Sequence, residues 1–144
     1  MSSNQQRPQV PSDMKAFNEK LIAEFRANHG KLSSGPLAGR EPMLLTTKGS
    51  KSGRDRTVVV GYRRAGDLYL MIASNNGNDA APSWFHNLLA DPIATVELGP
   101  DKFKARARVA TPQERPEFAK RIDYLERQQA LTSREIPIVV LEKV

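Results

Sequence analysis

The chain has 144 residues, 39% hydrophobic and 26% charged, with 9 glycines and 10 prolines, the composition of one ordinary globular domain, which excludes wholesale disorder and fibrous repeats. There is no cysteine, and His29 and His86 are the only histidines; disulfides, thiolate metal sites and a cysteine nucleophile are excluded, and no metal is expected. The net charge of +6 is concentrated, because Lys48, Lys51, Arg54, Arg56, Arg63 and Arg64 face only Asp55 within residues 48–64, a local excess of +5.

Such a focus suggests a site for one anionic ligand; the alternative is a solvated basic face. No apolar run approaches the ~18 residues of a membrane-spanning helix. The N-terminus, MSSNQQRPQVPSD, lacks the apolar core of a signal peptide, so a cytoplasmic protein is expected.

In chain order, residues 1–12 read as a flexible arm and 13–144 as a single domain. Met14, Phe17, Leu21, Ile22 and Phe25 recur at helical spacing, predicting an amphipathic helix over about 13–28 that ends at Gly30. Residues 31–42 are loop by composition. Met43–Thr47 predicts a strand, Gly49–Gly53 a tight turn, and Thr57–Tyr62, with three valines, a second strand. Ala65-Gly66-Asp67 marks a hairpin turn that would pair 57–62 with the strand 68–73, which is apolar on both faces and so central. Residues 74–82 form a small, polar loop. A short helix follows over about 83–90, with Ser83 as its cap candidate, stopped by Asp91-Pro92.

Ile93–Leu98 and Phe103–Ala110 predict two more strands. In the latter, Phe103, Ala105, Ala107 and Val109 alternate with Lys104, Arg106 and Arg108, giving one buried and one wet, basic face. Thr111-Pro112-Gln113-Glu114 is a capping-box helix start, with Phe118, Ile122 and Leu125 as its buried stripe. Ile136–Leu141 is the last strand. About six antiparallel strands arranged mostly as hairpins, with peripheral helices, predict a mainly β (α+β) barrel rather than a doubly wound sheet.

The run Gly49-Ser50-Lys51-Ser52-Gly53 is neither a Walker loop nor a serine elbow, since Gly53 precedes Arg54 and Lys51 holds the centre. It is a turn loaded with donors. Glycines at both ends would allow positive φ angles and expose consecutive amides as an anion nest. Lys51 and Arg56 add charge, and Ser50 and Ser52 add hydroxyls. A phosphate or carboxylate is the natural guest, against the alternative of a hairpin made soluble by charge. A second constellation is Ser74, Asn75, Asn76 and Gly77 at a strand exit, followed by Trp84, Phe85, His86 and Asn87 on the short helix. On pattern alone Trp84 reads as a core anchor, His86 as a surface residue and His29 as a helix-end residue.

These constellations resemble the deazaflavin-dependent nitroreductase family of actinobacteria. The stretches that carry the resemblance are AFNEKLIAEFRANHGK, LLTTKGSKSGRDR, LYLMIAS, PSWFHNLLADP and IPIVVL, in the family's order from Ala16 onward. The resemblance implies a split β-barrel of FMN-binding-like type that binds the 5-deazaflavin coenzyme F420, with FMN as the alternative cofactor. The family's G-x-K-[ST]-G-x-x-R pattern falls on Gly49, Lys51, Ser52, Gly53 and Arg56, which with Ser50 would hold the coenzyme's phosphate and acidic tail. Val58, Val59 and Val60 would run beside the deazaflavin ring. Ser74 and Asn75 would contact cofactor and substrate, and Trp84 and Asn87 would close the site. The chain departs from the family where Asn75 and Asn76 follow Ser74 in place of lysine and glycine.

The implied activity is hydride transfer from reduced F420 to an electrophilic acceptor: a quinone, an activated alkene or a nitroaromatic. Ser74 and Tyr124 are the expected catalytic residues as proton donors, beside His86 or water. A noncatalytic carrier of F420 or a flavin-like ligand is the rival reading. A nucleic-acid partner is not expected, because the basic face lacks interleaved aromatics. A homodimer and a peripheral membrane contact of the N-terminal helix are further expectations of the resemblance.

Overall fold

In the computed structural model, residues 14–30, 42–77 and 80–144 are described, with residues 14–17 and 76 as backbone only. The arm at 1–12, and the loop at 31–42 except Pro42, lie outside the described residues. So do the side chains of Met14 and Phe17.

Seven strands form a single antiparallel sheet: β1 Met43–Lys48, β2 Asp55–Val60, β3 Arg63–Ala65, β4 Leu68–Ile72, β5 Ile93–Leu98, β6 Asp101–Val109 and β7 Ile138–Lys143. Their spatial order is β2-β1-β5-β6-β7-β4-β3. The edge strands β2 and β3 are therefore consecutive in the chain, joined only by Gly61 and Tyr62. A flat sheet of this size would be about 29 Å wide. The link spans at most about 11 Å. The sheet must curl until its edges meet, giving an open barrel.

This topology corrects the expected hairpin. The valine-rich run does not pair with 68–73. It breaks at Gly61, so β2 pairs with β1 (Met43↔Val60 through Lys48↔Asp55), while β3 alone pairs with β4. The break adds a seventh strand to the expected six. β4 lies between β7 and β3 and is apolar on both faces as expected.

Strand alternation sorts the core into three. Met43, Leu45, Tyr69, Met71, Val96, Ala105, Val139 and Leu141 point into the barrel. Leu70, Ile72, Ile138 and Val140 point outward beneath α3 (Arg115–Arg121) and α4 (Leu125–Gln129). Leu44 points outward against Leu21 and Phe25 of α1 (Met14–Ala27). The helix α2, Ser83–Ala90, sends Trp84 and Leu88 into the barrel cluster. On β6, Ala105 and Ala107 are buried and Lys104 and Arg106 exposed, matching the alternation. Val109, expected inside, is 44% exposed although it pairs with the buried Val139.

The ends of the helices differ in instructive ways. α1 stops in a double left-handed turn, with His29 at φ 55° and Gly30 at φ 95°; the Gly30 amide donates to the Phe25 carbonyl at 2.8 Å. A side chain at Gly30 would meet the Gly99 Cα at 2.7 Å. Backbone thus lies on backbone, and the Arg26 guanidinium donates to both oxygens of Glu97 at 3.1 and 2.9 Å, tying α1 to β5. Ser83 is not the cap of α2. Pro82 holds that position and no side chain caps the helix.

The capping box forms: the Glu114 amide donates to Thr111 Oγ1 at 3.2 Å and the Thr111 amide to Glu114 Oε1 at 3.0 Å. Thr111 is not the helix cap, however: α3 starts only at Arg115 with Glu114 in the cap position, and the helix breaks at Ile122, which is buried between α3 and α4.

Arg108 donates to both oxygens of Glu114, at 2.6 and 2.8 Å. The Arg108 guanidinium first, and then the Thr111 amide, lower the Glu114 pKa from 4.5 to about 2. Because the folded state holds this carboxylate at the lower pKa, its stabilisation is complete above pH 4.5 and is lost as pH falls toward 2. Glu114→Gln will therefore flatten the acid limb of thermal stability between about pH 5 and pH 2, measured by circular dichroism melts across that range. Gly30→Ala will destabilise by about 1–3 kcal/mol, from its positive φ and the contact with Gly99, measured by urea unfolding.

Candidate cofactor site

The open edge of β2 is flanked by two helices: α1 lies on the outer face of the sheet and α2 plugs its inner side. Between them runs a groove of about 1060 Å³. Its walls are Asn18, Glu19 and Ile22 of α1, the 49–52 turn with Thr47, residues 55–58 of β2, and Ser83, Trp84, His86 and Asn87 of α2. β2 pairs only with β1, so one row of its backbone N–H and C=O groups faces the groove without a strand partner.

The turn at the groove's end is braced from within. The Gly49 amide donates to the Arg54 carbonyl at 2.8 Å and the Gly53 amide to the Gly49 carbonyl at 2.9 Å. The Arg54 amide donates to Ser52 Oγ at 3.2 Å, and the Ser50 amide to Asn87 Oδ1 at 3.0 Å. Among the described residues, the amides of Lys51 and Ser52 keep no internal partner. The nest expected from consecutive amides is thus reduced to two. Gly53 has the expected positive φ, 70°. Gly49 does not; there a side chain would meet Ser52 Oγ at 2.7 Å and the Arg54 carbonyl at 3.2 Å, so space requires glycine.

The basic cluster divides. Arg63 pairs with Asp123 at 2.7 Å and lies 4.7 Å from the centre of the Tyr124 ring. Arg64 lies over the Tyr69 ring at 4.4 Å. Both are spent on structure. Lys51 and Arg56 are exposed on the groove, and neither forms an ion pair among the described residues. Glu19 and Asp55 are the carboxylates along the same walls.

Of the residues expected at the site, the groove brings together Gly49, Ser50, Lys51, Ser52, Arg56, Val58, Trp84 and Asn87. Gly53 closes the turn behind it. Val60 packs with the barrel cluster, as Val58 also does, while Val59 faces α1.

Ser74 and Asn75 do not line the groove. The carbonyls of Ala73 and Ser74 each accept from Arg134 at 2.9 Å, and Asn75, at φ 49°, donates from Nδ2 to the Ala80 carbonyl at 3.1 Å. Tyr124 packs with the α3–α4 cluster, on the outer face of β4 and β7. The groove adds residues that sequence reasoning missed: Asn18, Glu19, Thr47 and Thr57, together with Ile22, which was read only as core. The polar positions of the amphipathic α1 were the available signal for the first two.

Among the described residues, no group of three histidine or acidic side chains could hold a metal ion, and no helix is long and apolar enough to cross a membrane.

Comparison with known proteins identifies the family. Residues 19–143 match the family model of F420H(2)-dependent quinone reductase. The Mycobacterium tuberculosis protein named F420H(2)-dependent quinone reductase Rv1261c is 33% identical over 129 residues, covering 84% of this chain and 86% of its own. A second protein of that organism, Rv3178, is 29% identical over 103 residues, covering 69% of this chain and 87% of its own.

Among solved structures, an F420-H2 dependent reductase, FDR-A, superposes with a TM-score of 0.64 at 31% identity over 70% of this chain and 93% of that one. A structure described as a domain-swapped dimer gives 0.66 at 27% identity over 90% of this chain and all of that one. The curled sheet is the split β-barrel expected from the resemblance. With a family model that covers nearly all of the described residues, the chain belongs to the F420H2-dependent quinone reductase family and is an F420-dependent reductase.

Proposed function

We propose that the groove beside β2 is the F420 site and that the hydride acceptor is a quinone. One observation carries the reading: among the described residues Lys51 and Arg56 form no ion pair, and they line the groove next to an apolar wall of Val58, Ile22 and Trp84. An elongated ligand with an anionic tail and a flat, largely apolar ring matches that division. The two unbonded amides and the space reserved at Gly49 fit the same guest.

In this reading Lys51, Arg56 and the Lys51 and Ser52 amides hold the phosphate and acidic tail. Gly49, Ser50, Ser52 and Gly53 shape the turn. The free edge of β2 at Val58–Val60 presents backbone groups to the ring. Trp84 and Ile22 exclude water from the ring's surroundings. When bound, the reduced coenzyme supplies a hydride to the acceptor. A proton must accompany that hydride to yield hydroquinone, and His86 is the one of the expected donors that lines the groove. Ser74 and Tyr124 would take part only from outside it. The quinone is favoured over an enone or a nitroaromatic because the relatives carry that description. A structural neighbour described as a domain-swapped dimer supports a homodimer for this chain as well.

Lys51→Ala and Arg56→Ala will each weaken F420 binding by roughly ten- to a hundredfold, the cost of about 1.5–3 kcal/mol for a lost bond to a charged group. The measurement is a fluorescence titration of oxidised F420 run beside FMN. Unchanged affinity in both variants would remove the phosphate site from this turn, and preference for FMN would remove the deazaflavin assignment of the groove. Gly49→Ala will weaken F420 by about tenfold, since its side chain displaces Ser52 Oγ from the Arg54 amide, while leaving cooperative unfolding intact. Turnover with quinone, enone and nitroaromatic acceptors under F420H2 then ranks the acceptor classes.

A further inference from the structure

We propose that Asn87 is a positioning residue, which sets the shape of the 49–53 turn from the barrel side and acts on the coenzyme through that turn. The proposal rests on the reading of the groove as the F420 site. Among the described residues, Thr47 and Asn87 are the two buried polar side chains, at 2% and 6% exposure. They satisfy each other: Asn87 Nδ2 donates to Thr47 Oγ1 at 3.0 Å. The opposite end of the same amide, Oδ1, accepts the Ser50 amide at 3.0 Å. One side chain therefore ties the last inward residue of β1 to the first residue past Gly49.

Asn87 can do this because α2 is itself immobilised. Trp84, three residues before it, and Leu88, next to it, are both buried in the barrel cluster. The amide carries that rigidity into a turn whose residues 50–54 are otherwise exposed. The bond also decides which amides remain for a ligand. Ser50 N–H is turned toward Asn87, and the next two amides, of Lys51 and Ser52, are the unbonded pair. Losing Asn87 would strand a buried Thr47 hydroxyl and release the segment that presents Lys51.

The residue type fits the task. A bracket here needs an acceptor for Ser50 N–H and a partner for the Thr47 hydroxyl, held beside an anion. Asparagine provides both without charge. Aspartate could keep both bonds, because the Thr47 hydroxyl can rotate to donate, but would place a negative charge near the bound anion.

The test combines two measurements on the full chain. Hydrogen exchange of individual amides, followed by NMR without ligand, reads the bracket. Fluorescence titration of F420, with the KM for F420H2 and kcat, reads its consequence. In Asn87→Ala the Ser50 amide will exchange about tenfold faster, with the β4 and β7 amides unchanged. F420 affinity will fall about tenfold, and KM will rise with kcat retained. Asn87→Asp will restore the protection of the Ser50 amide.

If Asn87→Ala fails to fold, Thr47→Val removes the other end of the bracket, and the same selective exchange at Ser50 is expected. Unchanged Ser50 exchange in both Asn87→Ala and Thr47→Val would overturn the proposal. So would a freed Ser50 amide with unaltered F420 affinity while Lys51→Ala still weakens binding. If Lys51→Ala and Arg56→Ala leave binding unaltered, the site reading fails, and the exchange data still decide whether the bracket exists.

Discussion

The structure depends on a closure constraint. Seven strands are curled because the two that end the sheet are neighbours in sequence, separated by Gly61 and Tyr62. Once the edges are drawn together, side chains on the inner face converge, and the interior accepts only a mixed filling. Ala73, Ala94, Ala105 and Ala107 leave the volume that Trp84, Tyr69 and Phe103 occupy. Tyr62, at the closure itself, sits 5.9 Å from Tyr69, which is 5.6 Å from Phe103. The same constraint leaves β2 with an unpartnered edge, and the two helices that shelter that edge turn it into a groove.

Charge follows from this geometry. The six cations between Lys48 and Arg64 form one cluster in sequence, but the chain crosses from one sheet edge to the other at Gly61. Arg63 and Arg64 are carried away with β3, where a carboxylate, a carbonyl and two aromatic rings engage them. Lys48, Lys51, Arg54 and Arg56 stay behind around the turn, and of these Lys51 and Arg56 line the groove. What remains at the groove is a small number of uncommitted charges beside an apolar wall, which suits one ligand with a charged end and a flat end better than a broad polyanion.

The helices serve the site in different ways. α1 is held at its C-terminal end by the Gly30–Gly99 contact and by Arg26 on Glu97, so its groove-facing residues approach β2 from a fixed direction. α2 works from inside the barrel, where its buried aromatic and aliphatic side chains support Asn87. The 49–53 turn is therefore bonded to a side chain 37 residues away. This arrangement places a rigid backing behind a solvent-facing loop, as a site that must present charge to a ligand requires.

Much of this was legible in the sequence wherever the signal was local. Strands β1, β5 and β6, the α2 helix and the 49–53 turn follow from periodicity and turn chemistry over a few residues, and the capping box at Thr111 and Glu114 formed as its spacing implies. Lys51, inside the glycine-bounded turn, and Arg56, just past it, were identifiable in the sequence as members of one local cluster of cations.

The tertiary structure decided what local preference leaves open. Thr57–Tyr62 has the same strand propensity whichever partner it takes, so only the closure of the sheet shows that it divides. Ser74 and Tyr124 carry suitable chemistry, yet their surroundings turn them away from the groove, whereas Asn18, Glu19 and Thr57 enter it through the packing of α1 along β2. In the sequence only the family resemblance singles out Asn87, as a residue that closes the site; its pattern alone is that of a polar residue on a short helix. Its bonds to Thr47 and Ser50 follow from burial, because a buried amide must find partners and those available were brought there by the fold.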